Sequence, residues 1–111
     1  MVKIHTVTLD GKLYNIGYKV VTEDMESLGL RRNPNIFKYS LNRWYYDTSG
    51  FYLKRTFGEA RRLVKYMKET YSEKTRVFKT GINQIIDSNS SSIIAKNIML
   101  FEEIKLSNLV L

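Results

Sequence analysis

The chain opens on alternation. From Val2 to Leu9, and again from Lys12 to Val21, apolar and polar positions swap, with Asp10-Gly11 between the two runs. Period two is the mark of a strand with one buried face. A two-residue Asp-Gly loop suits a type I′ turn, whose central residues both take positive φ. The segment therefore reads as a hairpin with strands 2–9 and 12–21. Gly17, inside the second strand, marks a bulge or the close approach of another segment.

Thr22 is placed to cap a short helix over Glu23–Leu28, with acids at its positive end and Gly29 to stop it. Arg31–Asn35 reads as a loop, because Pro34 turns Asn33 away from helix. Ile36–Tyr39 and Arg43–Tyr46 look like strands about a turn at Leu41-Asn42. Asp47–Gly50 is a second turn, and Phe51–Arg55 a short aromatic strand.

The period then changes. Phe57, Ala60, Leu63, Val64, Met67 and Tyr71 recur at steps of three and four, which is one apolar stripe of a helix. Thr56 and Glu59 form a capping-box pair just before it. The helix is expected over 57–71, with Arg61, Arg62, Lys65 and Lys68 off the stripe. Thr75–Thr80 alternates as a strand that Gly81 breaks. Ile82–Ile86 fits a helical turn or a strand equally. Asp87–Ser92 is a polar stretch expected to be a mobile loop. Ile93–Phe101 is strongly apolar and, with Glu102–Leu106, reads as a central or nearly central strand, in one or two segments. Ser107–Leu111 is a tail whose apolar end wants cover. The sum is one α+β domain over 1–111: a small, mostly antiparallel sheet, an N-terminal hairpin and one principal amphipathic helix.

Composition narrows the chemistry. The 111 residues include no cysteine and one histidine, His5. That removes disulfides, thiol nucleophiles and thiolate metal sites, and leaves no ligand cluster for a metal. No glycine-rich phosphate loop or nucleophile-elbow pattern accompanies the isolated Gly50 and Gly58. No cofactor is expected. No apolar run approaches a membrane span, and the first residues lack the apolar core of a signal peptide, so the expectation is a cytoplasmic protein.

Charge changes the picture most. Residues 28–79 hold 13 of the 18 Lys and Arg but 4 of the 11 Asp and Glu, a local excess of nine positive charges against a whole-chain net of +7. Phe37, Tyr39, Trp44, Tyr45, Tyr46, Phe51, Tyr52, Phe57, Tyr66, Tyr71 and Phe78 lie in the same stretch; Tyr14 and Tyr18 lie outside it. Basic residues interleaved with aromatics suit a polyanion that has flat faces. Arg61, Lys65 and Lys68 follow one side of the helix, joined by Arg55 and Arg62, and Trp44, Tyr45, Tyr46 and Tyr52 are candidates to stack on bases. The leading expectation is a small non-catalytic binding protein that contacts nucleic acid, or an acidic protein partner, through this basic face. The charge can equally be a solvated surface that keeps the chain soluble. A homo-oligomer is left open. Domains this short and basic are of the kind that mobile elements encode as host-directed binders, an origin to which no residue here is tied.

One resemblance adds a second class. Ser49-Gly50-Phe51-Tyr52-Leu53, then Thr56, then Ala60 on the following helix resemble the strand-to-helix stretch of ADP-ribosyltransferase-like folds, over residues 49–72. The resemblance implies a transferase whose catalytic glutamate lies on a late strand. Glu102 or Glu103, after Ile98–Phe101, matches by position. The family's early Arg or His would fall on Tyr18-Lys19 or on His5. Adjacent glutamates on a strand point to opposite faces, so they cannot act as an acid/base pair.

Overall fold

The computed structural model describes residues 6–28 and 36–105. The expected strand start at 2–5, the Gly29 stop, the Arg31–Asn35 loop and the segment 106–111 lie outside them. In chain order the elements are β1 (Thr6–Leu9), β2 (Lys12–Thr22), β3 (Trp44–Lys54), α1 (Phe57–Tyr71), β4 (Thr75–Ser88) and β5 (Ser92–Ile104). The five strands form one antiparallel sheet of order β1-β2-β3-β5-β4, and β2 also pairs with β4. The sheet thus curls into a ring. The β2–β4, β4–β5 and β5–β3 ladders are long, and the last seam, β3 to β2, closes through the pair Tyr18↔Lys54.

Both faces of this sheet carry buried apolar residues. Neighbouring residues on a strand point to opposite sides, yet Val20 and Val21 of β2 are 5% and 0% exposed, and Val77 and Phe78 of β4 are both 0%. Val21, Phe51, Leu53, Phe78, Ile82, Ile98 and Leu100 fill the inside of the ring. Val20 and Val77 face outward onto α1, where Ala60 joins them with Phe57, Leu63 and Val64. Gly17 sits where a Cβ would lie 3.2 Å from Leu53 Cδ2. It marks a close approach, and the β2–β4 register runs past it without a bulge.

The hairpin and helix follow the local code. Asp10 and Gly11 have φ of 51° and 78°, as a type I′ turn requires. Thr56 Oγ1 accepts from the Glu59 N–H at 3.2 Å, and Ser72 in the left-handed region closes the other end, donating its N–H to the Lys68 carbonyl. The capping box is only half made, because the Glu59 carboxylate pairs with Arg62. Tyr71 is 53% exposed and leaves the stripe; it lies edge-on to Tyr66 instead.

Between these elements several local expectations are corrected. Residues 23–28 form no helix. Met25 turns with φ 67°, Thr22 Oγ1 accepts from Glu26 N–H at 3.0 Å, and Glu26 bridges Lys38. The reason is tertiary: Met25, Phe37 and Tyr39 pack into the ring, which outweighs a weak helix preference. Ile36–Tyr39 accordingly contributes a bridge and not a strand. Asp47–Gly50 is a bulge inside a continuous β3, since β5 pairs with Tyr46 through Asn97 and with Phe51 through Ala95. Gly81 does not break β4, which runs on through Ile82–Ile86. Asp87 and Ser88 belong to β4 and Ser92 to β5. The turn proper is 89–91, where Asn89 Oδ1 accepts from the N–H groups of Ser91 and Ser92 at 2.9 and 2.8 Å. The expected central position of β5, between β3 and β4, is observed.

Two glycines with positive φ separate conformational cost from steric cost. Around Gly11 an added Cβ meets nothing within 4 Å, whereas at Gly50, with φ 90°, it would lie 2.5 Å from Ile94 Cγ2 and 3.0 Å from Ile86 Cδ1. Gly11→Asn should therefore cost less than about 1 kcal/mol and Gly50→Ala about 2 kcal/mol or more, as read by urea denaturation; similar losses would contradict the packing around Gly50. Thr56→Ala should cost about 1 kcal/mol through the lost cap, and an unchanged urea midpoint would contradict that helix start.

Candidate nucleic-acid interface

Helix α1 turns Ala60 and Met67 inward, so the opposite side is left to water. Arg61, Arg62, Lys65 and Lys68 are all exposed on it. Arg61, Lys65 and Lys68 follow at steps of four and three. At about 1.5 Å rise per residue they form a row roughly 10 Å long. Two neighbours are partly neutralised: Arg62 pairs with Glu59, and Lys65 lies 3.9 Å from Glu69. Such exposed pairs are weak and yield readily to another anion. Arg61 and Lys68 have no carboxylate partner among the described residues. Arg55 is not on the row. It sits at the β3–α1 junction, half-buried, and its N–H donates to the Ser91 carbonyl at 2.9 Å.

The four candidate stacking residues divide by face. Tyr45 points into the ring, edge-on to Phe37 and Tyr39, and its hydroxyl accepts from the Ser40 N–H at 2.7 Å. Trp44 faces out but is covered by Tyr14, at 4.8 Å between ring centroids. Tyr46 and Tyr52 are 54% and 68% exposed. The strand alternation that sends Tyr45 inward sends Tyr46 outward, and the 47–50 bulge restores the same phase for Tyr52.

Glu102 and Glu103 are both engaged elsewhere. Glu103 accepts two hydrogen bonds from the Arg76 guanidinium, at 2.8 and 2.9 Å, and one from Lys105 at 3.1 Å. The Arg76 bonds hold its carboxyl down to about 2. Glu102 is exposed, 3.8 Å from Lys79. Neither glutamate lines either of two shallow clefts in the surface. One, of about 360 Å³, is lined by Thr22, Glu23, Asp24, Ser72, Glu73 and Lys74. The other, of about 340 Å³, is lined by Gln84, Ile85, Ile86 and Lys96. Among the described residues no group of three or more His, Asp or Glu is gathered as a metal site, and no helix is long and apolar enough to cross a membrane.

Two buried charges escape sequence reasoning. Lys19 is 8% exposed. Its Nζ donates to the Tyr52 carbonyl at 2.8 Å and lies 6.0 Å from the centre of the Phe51 ring, with no paired carboxylate among the described residues. Burial lowers its pKa to about 8. The only sequence signal is its odd position in a strand whose odd residues, Gly17 and Val21, face inward. Asp47 is also nine-tenths buried, in the β3 bulge; Oδ1 accepts from Ser49, while Oδ2 has no partner among the described residues.

Comparison with protein-family models, with curated proteins and with solved structures finds no match to this chain.

The Lys19 environment has a measurable consequence. Its folded pKa of about 8 lies below the ordinary 10.5, so between those values the unfolded chain binds more protons and stability rises with pH. Tyr39 acts oppositely above pH 10, because burial raises its hydroxyl to about 12. The clean window is therefore pH 8 to 10. There the slope from Lys19 approaches about 1.4 kcal/mol per pH unit, and Lys19→Met should flatten it in urea titrations. Equal slopes in wild type and variant would mean that Lys19 is solvated.

Proposed function

We propose that this protein is a small, non-catalytic binder of nucleic acid that uses the outer side of α1. The observation that carries this reading is the unneutralised row: Arg61 and Lys68 lack carboxylate partners among the described residues, and Arg62 and Lys65 are held only by weak exposed pairs. A solvated helix face needs no such imbalance, because Glu at alternate positions would serve solubility as well. The backbone under the row is fixed, since α1 is capped at both ends and packed on β2 and β4, so only the side chains order on binding. Arg55 stands beyond the helix start and extends the positive field toward the 89–91 turn. An acidic protein surface would meet the same charges, and the test separates the two. Glu102 and Glu103 supply no comparable observation in favour of a transferase.

Phosphate contacts release counterions, so affinity should fall steeply with salt, each contact adding about 0.7 to 0.9 to the log–log slope. Replacing Arg61, Lys65 and Lys68 by Ala should flatten the slope by about 2 to 3 units and leave the helix intact, since Ala is its best former. Charge reversal at Lys3, Lys12 and Lys105, outside the 28–79 stretch, should do much less. No binding of wild type to any nucleic acid at low salt, or equal losses in both triple variants, would end this reading and leave the acidic partner.

A further inference from the structure

α1 covers the outside of the sheet around Tyr18, Val20, Val77 and Ile104. The β1–β2 hairpin covers a second region. Leu9 lies against Gly81 and Tyr14 against Trp44. A third region, on the outer half of β3 and β5, has no cover among the described residues. It carries the two exposed tyrosines of β3.

The register shows what surrounds them. Tyr46 stands opposite Asn97, which stands opposite Asn83 on β4. Asn97 Nδ2 donates to Gln84 Oε1 at 2.7 Å, so an amide cluster adjoins the Tyr46 ring. Tyr52 stands opposite Ile94, three positions along β5 from Asn97, and Lys54 opposite Ser92. Three positions are about 10 Å, which gives two aromatic faces on one surface with separate footprints. Between them the space where a Gly50 Cβ would stand is filled by the side chains of Ile94 and Ile86. Lys54 and Arg55 then lead directly into α1, whose first residue, Phe57, packs on Tyr18 beside the seam at Lys54. The acidic neighbour is Asp87, opposite Ile94 on β4 and exposed.

We propose that Tyr46 and Tyr52 form a stacking platform for unpaired bases, and that the nucleic acid bound is single-stranded. This rests on the nucleic-acid reading of α1 and specifies its ligand. A duplex offers the helix row its phosphates but keeps its base faces stacked on one another. A single strand offers both features a ligand: phosphates for the helix row and unpaired bases for the two rings, with Lys54 and Arg55 between them along the chain. Aromatic stacking tolerates any sequence, because every base has a π-face. The amides of Asn83, Gln84 and Asn97 are within the same surface and bias the choice of base beside Tyr46.

The test is anisotropy titration of a labelled oligothymidine and of a mixed-sequence duplex, with wild type and with Tyr46→Ala, Tyr52→Ala and the corresponding Phe variants. Wild type should prefer the single strand. Each Ala variant should lose about tenfold in single-strand affinity at an unchanged salt slope, and should bind duplex as wild type does. Phe should restore binding, which a merely electrostatic surface does not require. Both positions are exposed, so the variants should keep the wild-type circular dichroism spectrum and urea midpoint. Ala variants that bind the single strand like wild type, or a wild type that prefers duplex, would overturn the platform. If in either case the Arg61, Lys65 and Lys68 variant still lowers the salt slope, the helix reading stands alone. Binding of neither ligand by wild type would remove both.

Discussion

The fold depends on two strands, β2 and β4, that must hide both of their faces. Antiparallel sheets of this size commonly leave one side to water, but β2 and β4 carry apolar residues in consecutive positions, Val20-Val21 and Val77-Phe78, and neither side can be exposed without loss. Curling answers one half of the problem. The long β4–β5 hairpin bends so that β2 and β3 meet, and the concave face closes on itself around Phe78, Ile98 and Leu100. The convex face then needs lids, and the chain supplies α1 at one end and its own first hairpin at the other. Bulges at Asp47–Gly50 and in β4 near Ile86 provide the extra twist that such curvature demands.

Closing the ring at a single residue pair would leave a weak seam, and the polar interior strengthens it. Lys19 crosses from β2 to the Tyr52 carbonyl of β3, supplying from a side chain a bond that the ladder does not make there. The burden is a desolvated amine, reflected in its lowered pKa. At the other end, Arg76 ties three segments together: it holds Glu103 of β5 and reaches the Glu23 carbonyl in the turn after β2. Glu103 is thereby committed to the fold. Among the described residues, ion pairs tie β4 to β5 at Arg76–Glu103 and Lys79–Glu102, while Arg61 and Lys68 on α1 have no carboxylate partner.

Surface chemistry follows from that division. The same alternation that drives Tyr45, Phe51 and Leu53 into the core forces Tyr46 and Tyr52 out. Because α1 follows β3 through Lys54-Arg55, the exposed aromatic side of β3 and the basic side of the helix are joined by two cationic residues. Neither feature means much alone: scattered surface tyrosines are ordinary, and a charged helix side is the usual outcome of amphipathicity.

The amino-acid sequence determined those elements whose cause is local. The Asp10-Gly11 turn follows from two residues that tolerate positive φ, and the helix over 57–71 from a cap at Thr56 and a period of three to four. The basic side of α1 was legible for the same reason, as the complement of its apolar stripe. Tertiary structure decided whatever depends on partners distant in the chain. Glu23–Leu28 carries helix-like signals but yields to the burial of Met25 against Phe37 and Tyr39. Asp47-Thr48-Ser49-Gly50 has the composition of a turn, yet β5 pairs on both sides of it and makes it a bulge. Gly81 looks like a break because its reason, the approach of Leu9 from the first hairpin, lies some seventy residues away in the sequence. Which tyrosine faces water, which glutamate is locked by arginine and which lysine is buried were settled by sheet curvature and strand register, and these arise from long-range pairing that no local window of residues encodes.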